Sequence, residues 1–407
     1  MPRCAAPNSS AVAAAGGCGA ELGCARNARR FDAFCTRRTD GERVCLPSLL
    51  LVGASKSGTS SLAYQLAASR SVVTLCDHRR KTPSRVVFAL ETAGVSIDSV
   101  QECARGRGDA GVESHRYEAG FWGAWRGSAA QMLRMQWAAA TPMSPCARVV
   151  LEVTPNYLYE PEVPARIRAT YALQSAPLPR ALRFVVLLRE PVARAESSYW
   201  FKAGVTFQGK PSREQRGGSA EHMLRSFRAE IVTIRRVAEC AARAAGDATP
   251  PDAARVIFRS LGLNGTRLSE CMSASGYRAS GGPQHHVGKG MYAYQLARWF
   301  DAFGRCAFWI ASFERFHLRG ADGSARCYAD LFSWAGLPTA LTDAELRAVL
   351  ATAPANPTRN AVARPLPQPA RRELAEFFGP HNAELSWLLG DARIEGDWRA
   401  ANSGLYA

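Results

Sequence analysis

The segment LLLVGASKSGTSSL, residues 49–62, places Gly53 and Gly58 at the spacing of the phosphate-binding loop G-x-x-x-x-G-K-S/T, but not its lysine. Thr59 stands directly after the second glycine, and Lys56 lies three residues earlier, inside the loop. An apolar strand running into a Gly/Ser loop and then a helix start makes an anion site, because successive backbone N–H groups and the helix dipole point at one spot. With the lysine displaced, and no carboxylate-led magnesium strand evident, ATP hydrolysis and phosphoryl transfer are disfavoured. A lysine inside the loop can instead lean over the bond between a 5′-phosphate and a group being transferred. There it neutralises charge on the leaving oxygen without a metal.

A second segment, FVVLLREPVARAESSYW at 184–200, ends an apolar run at Arg189 and sets Ser197 eight residues later, beyond a Pro-initiated helix start. An arginine at a strand end and a hydroxyl one or two helical turns on can converge on one phosphate, by charge and by hydrogen bond.

These residues need a scaffold, and the apolar runs supply it. Leu49 to Val52 reads as a buried strand followed by the loop and a helix over about 60–68, and similar runs occur at 149–153, 184–188 and 308–311. Strands alternating with helical sequence predict a parallel sheet covered by helices. Tyr292, Leu296, Trp299, Phe300 and Phe303 fall at helical spacing and form a stripe for packing on that sheet. ARRELAEFF is expected to end before a proline break, after which GPHNAELSWLLG resumes a helix. Residues 203–285, polar and Arg/Gly-rich, read as an insertion on the sheet.

GASKSGTSSL resembles the 5′-phosphosulfate loop of sulfotransferases that use 3′-phosphoadenylyl sulfate, whose pattern is close to G-x-x-K-S/G-G-T-T/S-x-L. The 184–200 segment is similar to that family's 3′-phosphate motif, L-R-D/E-P-x-x-R-x-x-S-x-Y, and the two motifs lie in the family's order, about 130 residues apart. The resemblance implies a P-loop-like three-layer α/β/α fold with a central parallel sheet. It implies Lys56 as the catalytic lysine, with Ser57, Gly58, Thr59, Ser60 and Ser61 on the phosphosulfate and Arg189 and Ser197 on the 3′-phosphate. Arg194 and Tyr199, the other matching positions, would orient the loop and pack.

LEVTPNYLY, GKGMYAYQLARWFDAF and ELAEFFGPHNAELSWLLG look like supporting segments of glycan sulfotransferases, so the resemblance spans roughly 46–398 and is nearest in pattern to Golgi heparan sulfate N- and O-sulfotransferases. NPTRN occupies the place of a basic loop in those enzymes and makes Arg359 a nucleotide-site candidate. The domain reading is a Cys-rich leader or cap at 1–45, a sulfotransferase domain at 46–398 and a tail at 399–407.

Transfer to a hydroxyl needs a base for the acceptor's proton. VESHRYEAGFW resembles the family's K-E-x-H-F/Y-F segment and offers Glu113 as that base, with His115 as the alternative. Two positions depart from the family: Val112 precedes Glu113, and Val153 stands where E-K-S/T-P carries its lysine. In the resembled enzymes that lysine lies close to the transferred group or the base.

Composition bounds the rest. A chain of 407 residues at 47% hydrophobic content can bury a large core. Its net charge of +16 attracts polyanions; nucleic acid, anionic glycan and membrane surface all satisfy charge alone, but no zinc-finger spacing, RNA-recognition signature or basic heptad array favours nucleic acid. Twelve cysteines, five of them within the first 45 residues and none in paired C-x-x-C motifs, favour disulfides and an oxidising lumen over a zinc site. Asn8 and Asn264 head glycosylation sequons. AVAAAGG is too short for a signal peptide and no apolar run reaches the roughly 18 residues of a membrane span, so a Golgi-lumen location would rest on an anchor not visible in this sequence.

The expected activity is therefore transfer of a sulfuryl group from 3′-phosphoadenylyl sulfate, without a required metal, to a carbohydrate hydroxyl or, less favoured, an amine. The expected acceptor is an anionic polysaccharide. A catalytically impaired nucleotide- or glycan-binding module and a P-loop kinase are the competing readings. Acceptor identity, membrane attachment and oligomeric state have no sequence signal.

Overall fold

The computed structural model describes residues 18, 34–37, 39, 41, 43–69, 71–74, 128–138, 141–143, 147–174, 182–204, 206–207, 210–211, 218–245, 265–277, 285–317, 320–338, 343–350 and 364–403. Its strands are β1 Cys35–Arg37, β2 Arg43–Cys45, β3 Leu49–Gly53, β4 Val72–Thr74, β5 Thr141–Pro142, β6 Val149–Val153, β7 Arg183–Leu188, β8 Thr206–Phe207, β9 Lys210–Pro211 and β10 Phe308–Ser312. Five of them form a parallel sheet in the order β10-β7-β3-β6-β4. The α/β class expected from the sequence is what the chain adopts.

Every residue of β3, β6, β7 and β10 is buried, which is why these strands read as near-continuous apolar runs rather than alternating ones, broken inside only by Glu152 of β6. Successive side chains still go to opposite faces. Leu50, Val52, Phe184, Val186 and Ile310 pack with Trp299 and Phe303 of helix Tyr292–Phe303, Tyr171 of Val163–Tyr171 and Trp398 of Arg393–Ala401. Leu49, Leu51, Leu151, Val185 and Ala311 pack on the other side with Leu62 and Leu66 of Thr59–Ala67 and with Tyr328, Leu331 and Phe332 of Gly320–Ala335. A sheet with helices on both faces is the three-layer arrangement, and the 292–303 stripe lies in its core. Helix Ala220–Ala245 packs instead on helices: its Met223, Phe227, Ile231 and Ile234 meet Tyr199 and Trp200 of Pro191–Ala203 and Leu374 and Phe378 of Gln368–Leu389.

Two features differ from the sequence reading. β4 is a fifth strand only three residues long, below the length at which an apolar run declares itself. The expected break near Pro380 is absent, for helix Gln368–Leu389 runs through it. Proline removes one N–H and crowds the preceding turn, but Phe378, His381, Asn382 and Leu385 are buried on either side of it, and that burial outweighs one lost hydrogen bond.

Disulfides are present: Cys35–Cys45 spans the β1–β2 pair, Cys240–Cys271 ties helix Ala220–Ala245 to Gly265–Ala274, and Cys18–Cys327 attaches an N-terminal residue to helix Gly320–Ala335. No helix among the described residues is long and apolar enough to cross a membrane.

Candidate active site

In the sheet order, β3 has β6 on one side and β7 on the other, so chain direction across the sheet reverses at β3. Open α/β sheets bind ligands at such a switch point, outside the carboxyl ends of the strands. The 53–61 loop leaves β3 there, and 154–158 and 189–190 leave β6 and β7 beside it.

The loop is fastened by its neighbours. The Ala54 N–H donates to Leu187 O at 2.7 Å and the Ser57 N–H closes back on Ala54 O at 3.1 Å. Arg189 Nη1 donates to Lys56 O at 3.3 Å, and Arg194 Nη1 to Ser55 O at 3.5 Å, while Arg194 Nη2 donates to His286 O. Thus both arginines of the second motif hold the backbone of the first. Lys56 has φ 71°, a left-handed conformation rare for a residue with a side chain. Its Nζ lies 3.7 Å from the centroid of the Phe201 ring. Phe201 is one helical turn beyond Ser197, which is half-buried on the same helix.

Gly58, at φ 77°, is the N-cap of helix Thr59–Ala67, and no side chain caps that end. A Cβ at Gly58 would sit 2.6 Å from His317 Nε2, so only glycine suits both the dihedral and the contact. The Ser57 hydroxyl is fully buried with no hydrogen-bond partner, the kind of orphan that an oxyanion ligand satisfies. Pro191–Ala203, by contrast, is capped conventionally: Glu190 accepts from the N–H groups of Val192 and Ala193 at 2.9 and 2.7 Å, with Pro191 in the first turn.

Burial dominates the electrostatics. It lowers the Arg189 and Arg194 guanidinium pKa values from their ordinary range. Neither guanidinium has a carboxylate within ion-pair distance among the described residues; Arg189 instead lies 4.7 Å from the Phe313 ring. Burial raises the Glu314 carboxyl to about 7, against the Glu190 N–H that donates to it at 2.9 Å, and lowers the His317 imidazole to about 4, leaving that ring neutral at pH 7.

The structure therefore brings Lys56, Ser57, Gly58, Thr59, Ser60, Ser61, Arg189 and Ser197 to one corner. Glu113, His115 and Arg359 lie outside the described residues. The sequence reading missed Phe201, whose i+4 spacing from Ser197 was available, and Phe313, Glu314 and His317. These last follow directly on β10, a position that itself marks the carboxyl edge of the sheet.

No family model matches the chain, and no curated protein matches it. Among solved structures, a sulfotransferase from Alicyclobacillus acidocaldarius is similar at 18% identity and TM-score 0.39, covering 85% of this chain and 96% of that one. At that identity and TM-score the likeness assigns no chemistry.

Proposed function

We propose that this chain is a sulfotransferase that moves a sulfuryl group from 3′-phosphoadenylyl sulfate to a hydroxyl, or less readily an amine, of an anionic polysaccharide. The observation that carries this reading is the double fastening of the lysine-bearing loop by Arg189 and Arg194, which unites two motifs about 130 residues apart in one anion site.

The residues present fit the donor. The uncapped helix start and the orphaned Ser57 hydroxyl suit the 5′-phosphosulfate, and the half-buried guanidinium of Arg189, with Ser197 on the following helix, suits the 3′-phosphate. When bound, that donor supplies an activated sulfuryl group. Lys56 balances the charge that develops on the phosphate oxygen as the S–O bond breaks. Glu113, with His115 as the alternative, takes the acceptor's proton. The net charge of +16 would hold an anionic polymer nearby, and the disulfides accord with an oxidising compartment such as the Golgi lumen.

The test is incubation with radiolabelled 3′-phosphoadenylyl sulfate and a panel of sulfated and unsulfated glycans. Label is expected on at least one anionic glycan. Binding of adenosine 3′,5′-bisphosphate with no transfer to any member would instead favour a non-catalytic module, and turnover of Mg-ATP a kinase.

A further inference from the structure

We propose that Lys289 supplies a second ammonium at the transfer site, facing the sulfuryl oxygens from the β6 side while Lys56 faces the leaving phosphate; this rests on the sulfotransferase reading above. Val153, the last residue of β6, is buried and offers no charge where the resembled enzymes carry a lysine. Lys289 reaches the same strand end from a distant part of the chain. Its Nζ bonds Asn156 Oδ1 at 2.9 Å, three residues past Val153, and lies 5.6 Å from the Tyr159 ring centroid.

The 154–158 turn carrying Asn156 is part of the site wall. Thr154 N–H donates to Leu51 O at 3.1 Å and Leu158 N–H to Val52 O at 2.8 Å, which sets this turn against the start of the loop. A Cβ at Gly53 would lie 2.5 Å from Leu158 Cβ. Arg194 closes the other side, since its two Nη atoms bond Ser55 O and His286 O. One guanidinium thus joins the residue before Lys56 to a residue three before Lys289.

The backbone around Lys289 is held more firmly than a surface turn requires. Glu230 accepts from the Val287 and Gly288 N–H groups at 2.9 and 2.8 Å and from the Tyr277 hydroxyl at 2.8 Å. Gly288 O accepts from Tyr294 Oη at 3.1 Å and Gln295 Nε2 at 3.0 Å, and His286 Nδ1 pairs with Ser198 Oγ at 2.9 Å. A Cβ at Gly288 would stand 2.0 Å from the Tyr277 hydroxyl. A half-buried lysine on a turn clamped from both its N–H and its C=O side is preorganised, which is what stabilising charge in a transition state demands.

In the step itself, the acceptor oxygen forms a bond to sulfur as the bond from sulfur to the phosphate oxygen breaks. The electron pair leaves with the bisphosphate and the acceptor's proton goes to the base. The sulfuryl oxygens keep their negative charge throughout, and Lys289 offsets it as the acceptor approaches.

The experiment compares wild type, Lys289→Ala and Lys289→Arg in steady-state transfer to a glycan that wild type sulfates, with calorimetric titration of adenosine 3′,5′-bisphosphate on each. Lys289→Ala is expected to lower kcat by about 10²-fold while bisphosphate affinity changes by less than about threefold, and Lys289→Arg to recover part of kcat. A Lys289→Ala protein that binds bisphosphate normally and keeps its kcat, or shows only a raised glycan KM that added salt abolishes, overturns the proposal and leaves the sulfotransferase reading standing. A wild type that transfers to no glycan overturns both.

Discussion

Arginines that follow strands of the sheet are treated in opposite ways. Just after β10, half-buried Arg315 is paired within the protein: its Nε and Nη2 donate to the Asp397 carboxylate at 2.8 and 2.9 Å, and Ser312 Oγ donates to the same carboxylate at 2.9 Å. At the carboxyl ends of β3 and β7, Arg189 and Arg194 have backbone carbonyls and a ring face for company, and burial lowers their pKa values. Arranging buried cations without carboxylates costs stability. Arg315 is paired within the fold, whereas Arg189 and Arg194 have no carboxylate within ion-pair distance among the described residues; under the proposed function their charge serves an anion that arrives from outside.

That contrast breaks most visibly at Asp397. Asp397→Ala leaves the half-buried Arg315 guanidinium without its carboxylate, so unfolding in urea should show a loss of about 3 kcal/mol, the low end for breaking a buried pair, with bisphosphate affinity unchanged. Lys56→Ala should do the reverse: transfer falls by about 10²–10³-fold with the urea midpoint close to wild type. Arg189→Ala should weaken adenosine 3′,5′-bisphosphate by at least about 2 kcal/mol in calorimetry, without the stability loss seen at Asp397.

The most gradual effect, spread over several pH units, concerns a buried acid rather than a base. Glu152 is fully buried beneath the Tyr157 hydroxyl, 2.7 Å away, and burial raises its carboxyl to about 8 from 4.5. Between those values the folded chain keeps a proton that the unfolded chain has released, so this group's contribution to stability is present at low pH and is lost as pH rises towards 8. The slope is at most about 1.4 kcal/mol per pH unit. Urea denaturation across that window should show it in wild type and a flatter profile in Glu152→Gln.

What could be read in advance follows the same division. β3, β6, β7 and β10 announce themselves because burial on both faces favours apolar side chains at successive positions, with Glu152 of β6 the interior exception, and the loop announces itself because glycine and lysine spacing is local. β4 is too short to register, and the helix through Pro380 is held by packing that only the folded chain supplies. Arg194 was expected to orient the loop from motif position alone. That its second partner is His286 O, and that Glu230 holds the turn at Val287 and Gly288, depends on contacts across 92 and 57 residues of sequence that no spacing encodes. The corner where the loop meets Arg189 and Arg194 is built from two local motifs and its assembly was legible; the Lys289 side is assembled from distant segments and was not.

The central claim, that this corner is kept charged for a nucleotide carrying a 3′-phosphate, is tested most directly by titrating the whole chain with adenosine 3′,5′-bisphosphate and with Mg-ATP in a calorimeter. The account predicts that the bisphosphate binds tighter by at least about tenfold, or about 1.4 kcal/mol. Equal or tighter binding of Mg-ATP, or no binding of the bisphosphate, would contradict it.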